Sequence, residues 1–187
     1  MADPIKRAGI ILGIVFALAA AVFAVSMVSP SAARAQSGTP HWILELKDGT
    51  VDVELLPAVA PKHVERIVEL TNEGFYNGIV FHRVIEDFMA QSGDPTGTGA
   101  GGSDKPDVVA EFNEESFNRG AVGAARTNDP NSFNSQFFIC FRDCTFLNGQ
   151  YTVFGRVVSG MEAVDKITRG EPPANPDQII SAKIEYK

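Results

Sequence analysis

The sequence predicts a mainly antiparallel β domain, either a barrel or a sandwich. Short segments of alternating or β-branched character recur along the chain, glycine punctuates them, and only two stretches show helical spacing. No internal repeat or heptad is present, and periodicity leaves barrel and sandwich both open. The 187 residues are 44% hydrophobic and 21% charged, which suits one globular domain once a targeting segment is set aside.

In chain order, Trp42, Leu44 and Leu46 alternate with Ile43, Glu45 and Lys47, and Val51, Val53 and Leu55 alternate with Asp52 and Glu54. With Asp48-Gly49 between them, these form a hairpin with one buried face. Pro61 opens a helix in which Val64, Ile67 and Val68 share a face, and Gly74 ends it. Residues 78–91 are aromatic and branched and read as strands, whereas the glycine-rich residues 93–105 read as a long surface loop. That loop lacks the Gly-Lys-Ser/Thr ending of a phosphate cradle, which argues against nucleotide binding. Further strands are expected over 135–141, 151–158 and 180–186, and a second short helix over 162–168 through Ala163, Val164 and Ile167.

Ahead of the domain, Lys6 and Arg7 precede an uncharged apolar run over 8–28, and Ala33-Arg34-Ala35-Gln36 follows with a small-x-small pattern. A cleaved signal peptide over 1–35 is the first expectation. A run of 21 residues also approaches a bilayer span, so an uncleaved anchor is the alternative. In both cases residues 36–187 are expected in the periplasm or another extracytoplasmic space, touching the membrane only through an uncleaved 8–28. Removing 1–35 takes away three basic residues and one acidic one, moving the formal charge from -7 to -9, and nucleic acid is not an expected partner. The carboxylates read as a solvated surface.

Cys140 and Cys144 are too few for a disulfide framework and are expected to be free thiols. His41, His63 and His82 stand outside ligand spacing with either cysteine, so no metal is expected. Nor does the chain carry Gly-x-Ser-x-Gly or His-Glu-x-x-His, the marks of common hydrolases.

The chemistry lies in four linked blocks: Phe81-His82-Arg83-Val84-Ile85, Phe88-Met89-Ala90-Gln91-Ser92-Gly93-Asp94, Ser135-Gln136-Phe137-Phe138-Ile139 and Phe154-Gly155-Arg156-Val157. In this order, within a span from Trp42 to Tyr186, they resemble the cyclophilin family of peptidyl-prolyl cis-trans isomerases. The resemblance implies a closed eight-stranded antiparallel β-barrel capped by two α-helices, with a substrate groove on its outer face. It also implies X-Pro-containing polypeptides as substrates and no cofactor, and a monomer is expected.

Roles follow residue by residue from the same resemblance. Arg83 matches the family's catalytic arginine, and Gln91 and Phe88 complete the catalytic set. Phe88, Met89, Phe138 and Leu147 would grip the proline ring, Gln136 would form a polar wall, and Ala125, Arg126 and Thr127 would lend backbone groups to the peptide. Phe146 stands where many eukaryotic members carry a tryptophan that hydrogen-bonds cyclosporin, and its lack of an indole N–H implies weak inhibition by that drug. Tyr151 replaces a frequent histidine and keeps an aromatic wall, while Glu86-Asp87 replaces a frequent Pro-Gly. Taken without the resemblance, the apolar members of this set read as core and Arg83 as an edge ion pair. Two rivals to catalysis are a module that binds proline segments without turnover and a thiol redox role for Cys140 and Cys144.

Overall fold

In the computed structural model, which describes residues 38–187, the first hairpin sets the inner face of a single sheet. Strands β1 (Pro40–Leu46) and β2 (Gly49–Leu55) pair antiparallel from His41↔Glu54 to Leu46↔Gly49. Their alternate residues Trp42, Leu44, Leu46, Val51, Val53 and Leu55 all point into the core, none more than 4% exposed. Helix α1 (Pro61–Asn72) follows and buries Val64, Ile67 and Leu70 at the expected spacing. No side chain at Ala60 caps this helix; instead the Glu111 carboxylate accepts the N–H groups of Lys62 and His63 at 3.0–3.1 Å. An anion there satisfies orphan donors and opposes the positive end of the helix dipole.

The remaining strands are β3 (Arg83–Ile85), β4 (Met89–Ser92), β5 (Ala121–Ala124), β6 (Phe137–Cys140), β7 (Val153–Ser159) and β8 (Ser181–Tyr186). All eight are antiparallel, in the order β3-β4-β6-β5-β7-β2-β1-β8. The architecture is the expected eight-stranded one, but the wall is closed less completely than the word barrel suggests. Among the described residues no ladder joins β3 to β8; the isolated bridges Val84↔Gly170 and Val80↔Gln178 span the gap.

Helix α2 (Met161–Val164) is shorter than the expected 162–168. Beyond Val164 the chain tightens into three-residue turns, Lys166 N–H to Ala163 O and Ile167 N–H to Val164 O. Arg169 ties off this end by donating to the carbonyls of Asp165 and Ile167. Residues 1–35, where the leader is expected, lie outside the described residues. No described helix is long and apolar enough to cross a membrane.

Strand alternation divides the apolar side chains into two clusters. Val84, Ala90, Val122, Phe137, Ile139 and Phe154 join the interior, where Trp42, Tyr76 and Phe137 meet edge to face. The intervening residues Met89, Phe138, Cys140, Ala121 and Val153 pack on the opposite face with Phe117, Cys144 and Leu147. This second cluster is the floor of the groove. Cys140 and Cys144 are free and buried within it, and burial raises both thiol pKa values, Cys140 most.

Candidate active site

The register of three strands builds the polar row of the site. Arg83 pairs with Gln91 across β3–β4, and Gln91 pairs with Phe138 across β4–β6. All three lie on the same face because strand side chains alternate. Arg83 Nη1 donates to Gln91 Oε1 at 3.4 Å, Gln91 Nε2 donates to Gln136 Oε1 at 2.9 Å, and Gln136 Nε2 donates to the carbonyls of Gly99 and Gly101 at 3.0 and 2.8 Å. Those carbonyls belong to the glycine-rich loop, so a relay of oriented amides runs from loop to guanidinium.

Asp94 organises that loop. The carboxylate accepts N–H groups from Thr96, Thr98, Gly99 and Gly101 and the hydroxyl of Thr96, while only 1% of the residue is exposed. Burial alone would raise its pKa, but the bonds from Thr96, Gly101 and Gly99 outweigh burial and hold it far below the usual carboxylate range. The sequence reading of carboxylates as surface therefore fails here, and also at Glu111, whose Oε2 lies 2.7 Å from His63 Nδ1. The His82 ring lies beside Gly99 of this loop, and neither of its ring nitrogens has a hydrogen-bond partner among the described residues. Burial lowers its pKa, with Asp94 opposing.

Beside the polar row lies a hollow of about 210 Å³ lined by Arg83, Phe88, Met89, Gln91, Ala125, Arg126, Phe138, Leu147 and Tyr151. Phe138 stacks on Phe117 at 5.5 Å and meets Tyr151 edge-on at 5.9 Å. Gly123 lies opposite Phe138 in the β5–β6 register, and a Cβ there would collide with the rings of Phe138 and Phe117. Arg126 lays its guanidinium 4.3 Å from the Tyr151 ring centroid and donates to the carbonyls of Thr127 and Gln150, so it braces the far wall.

Of the residues singled out from sequence, Thr127 and Gln136 lie outside this hollow. They line an adjoining one of about 330 Å³ with Gly99, Gly101, Asp107, Ser132 and Asn134, and the two hollows share Gln91, Ala125 and Arg126. Phe146 is 63% exposed on the 3-10 turn Thr145–Leu147, where Leu147 turns inward, and reaches the site only by its ring contact with Phe88 at 5.5 Å. Sequence reasoning missed Asp94 and Glu171, whose Oε2 accepts Arg83 Nε–H at 2.9 Å. The Asp-x-Thr-x-Thr-Gly run after Gly93 is the signal for Asp94, since short polar side chains there fold back on backbone N–H groups. For Glu171 no local signal exists.

Comparison with known proteins converges on one family. The family model "Cyclophilin type peptidyl-prolyl cis-trans isomerase/CLD" matches residues 41–184. A Brucella suis protein named "Probable peptidyl-prolyl cis-trans isomerase" is 53% identical over 186 residues, covering 90% of this chain and 95% of its own. The crystal structure of the cyclophilin AquaCyp293 from Hirschia baltica superposes with a TM-score of 0.70 at 32% identity, covering 76% of this chain and 72% of that one. A cyclophilin type isomerase from Cryptosporidium parvum, solved in the presence of the dipeptide Ala-Pro, gives 0.73 at 28% identity over 79% of this chain and 99% of its own. The chain belongs to the cyclophilin-type peptidyl-prolyl cis-trans isomerases.

Proposed function

We propose that X-Pro bonds turn in the 210 Å³ hollow, with Arg83 acting on the proline nitrogen and Phe88, Met89, Phe138 and Leu147 holding the ring. The barrier to rotation, about 18–20 kcal/mol, comes from amide resonance. Twisting the bond breaks that resonance and leaves a lone pair on nitrogen. A donor aimed at that lone pair stabilises the twisted state more than either planar one. The guanidinium stays charged and donates without giving up a proton. Among the described residues Arg83 Nη2 makes no hydrogen bond, so it is available for this task.

One observation carries this reading: a fixed guanidinium with a free donor edge shares a single hollow with an apolar ring grip. Gln91, one strand over, is placed to hold the peptide carbonyl next to the rotating bond, and the adjoining hollow receives residues before the proline. The division of labour is testable by kinetics on a short X-Pro peptide. Phe138→Ala is expected to raise KM about tenfold or more, as loss of an apolar grip does, while Arg83→Ala lowers kcat. The reverse pattern would contradict these assignments.

We also infer that the enzyme works outside the cytoplasm, on exported chains whose X-Pro steps are slow. Its support is the Lys6-Arg7 start, the apolar run over 8–28 and the Ala33-Arg34-Ala35 pattern. Mass measurement of the protein from fractionated cells tests it: a mature N-terminus at Gln36 in the extracytoplasmic fraction is expected, and an intact cytoplasmic chain would contradict it.

A further inference from the structure

The partial closure of the wall has a consequence at Arg83. Val84 and Gly170 exchange both backbone hydrogen bonds, each 2.8 Å, as an isolated antiparallel bridge. In an antiparallel pair, stepping back one residue on one chain steps forward one on the other, so Arg83 falls opposite Glu171. Their side chains meet accordingly, Nε to Oε2 at 2.9 Å. On its other flank Arg83 faces Gln91, whose Oε1 accepts from Nη1 at 3.4 Å. The guanidinium is thus held from strand β4 on one side and from the loop that follows Gly170 on the other.

We propose that Glu171 is a positioning residue for the isomerase reaction. This rests on the reading of Arg83 given above. The carboxylate engages Nε, at the stem side of the guanidinium, and leaves the Nη2 edge free for the proline nitrogen. A carboxylate bound across the Nη edge would instead occupy the donors the reaction needs. Arginine is long and rich in rotamers, and Arg83 is only half-buried, with 41% of its side chain exposed. Without a second anchor the guanidinium samples orientations in which no donor faces the hollow. Glu171 is itself 53% exposed on a loop, and pairs so exposed add little to stability, so the anchor's effect belongs to the reaction rather than to folding.

The test uses the full chain and five forms: wild type, Glu171→Ala, Glu171→Gln, Arg83→Ala and the double alanine variant. Exchange NMR on a short X-Pro peptide gives kcat and KM. Glu171→Ala is expected to lower kcat about three- to fivefold, the range an exposed pair can supply, with KM unchanged. Glu171→Gln, whose amide oxygen still accepts the Nε–H, recovers most of that loss. In the Arg83→Ala background Glu171→Ala has no further effect. The Arg83 Nε–H resonance is expected to exchange with water faster in Glu171→Ala than in the wild type, which reports loss of the anchor; the fall in kcat at unchanged KM, recovered by Glu171→Gln, is the readout that a merely structural role would not move. Wild-type kcat in Glu171→Ala beside a damaged Arg83→Ala overturns the positioning role alone. An equal loss in both backgrounds also overturns it, because the effect would not pass through the arginine. Full activity in Arg83→Ala removes the catalytic reading first, and this one with it.

Discussion

Asp94 shows how far the site depends on a group that lies outside both hollows. The buried Asp94 carboxylate fixes the loop whose Gly99 and Gly101 carbonyls orient Gln136, and Gln136 in turn orients Gln91. Replacing Asp94 by Asn exchanges one acceptor oxygen for a donor and sets it against N–H groups. A loss of about 1–3 kcal/mol in unfolding free energy is expected, read from urea denaturation. The Arg83 block and the Phe88-Met89 and Gln136-Phe138 blocks were legible in the sequence only through their resemblance to the cyclophilin family, since patterning alone reads their apolar members as core and Arg83 as an edge ion pair. Glu171 was not, since 88 residues separate it from Arg83 and only the Val84–Gly170 bridge brings them together. Asp94 was misread because an acidic residue among glycines ordinarily faces water.

At the scale of elements, strand β5 was the one invisible to sequence patterning. Ala121-Val122-Gly123-Ala124 offers a single β-branched residue and no bulky one, yet all four residues are buried between β6 and β7. Small side chains are what this position requires, since Phe138 and Phe117 occupy the space above Gly123. Gly123→Ala is therefore expected to destabilise by about 1–3 kcal/mol through overpacking, and to raise KM by displacing Phe138 from the hollow. Denaturant titration and peptide kinetics check the two halves separately. The hairpin β1–β2 and helix α1, by contrast, follow their alternation and their helical spacing closely. Helix α2 stops early because its last turn tightens and Arg169 binds its carbonyls, neither of which leaves a periodic trace.

For the whole molecule, two apolar clusters share one sheet, so groove and barrel interior stand or fall together. Several buried titratable groups make that stability depend on pH in one direction. Burial lowers the pKa of His63, against the pull of Glu111, and of His82, against Asp94. The unfolded chain therefore binds protons near pH 6.5 that the folded chain refuses, and stability falls as pH drops through about that value. Asp94 and Glu111, held low by hydrogen bonds despite burial, add a second loss once pH falls below about 4. Calorimetry between pH 8 and pH 3 is expected to show Tm declining in these two stages. A Tm that rises on acidification through the histidine range would contradict the assignment. The central claim is that Arg83 stabilises the twisted X-Pro bond, and the most direct measurement is cis-trans exchange of a model X-Pro peptide by NMR, wild type beside Arg83→Ala at equal concentration. Strong acceleration by the wild type and a drop of about 10²–10³ in kcat for the variant, with the peptide still bound, is the predicted result. Equal acceleration by both proteins would contradict it.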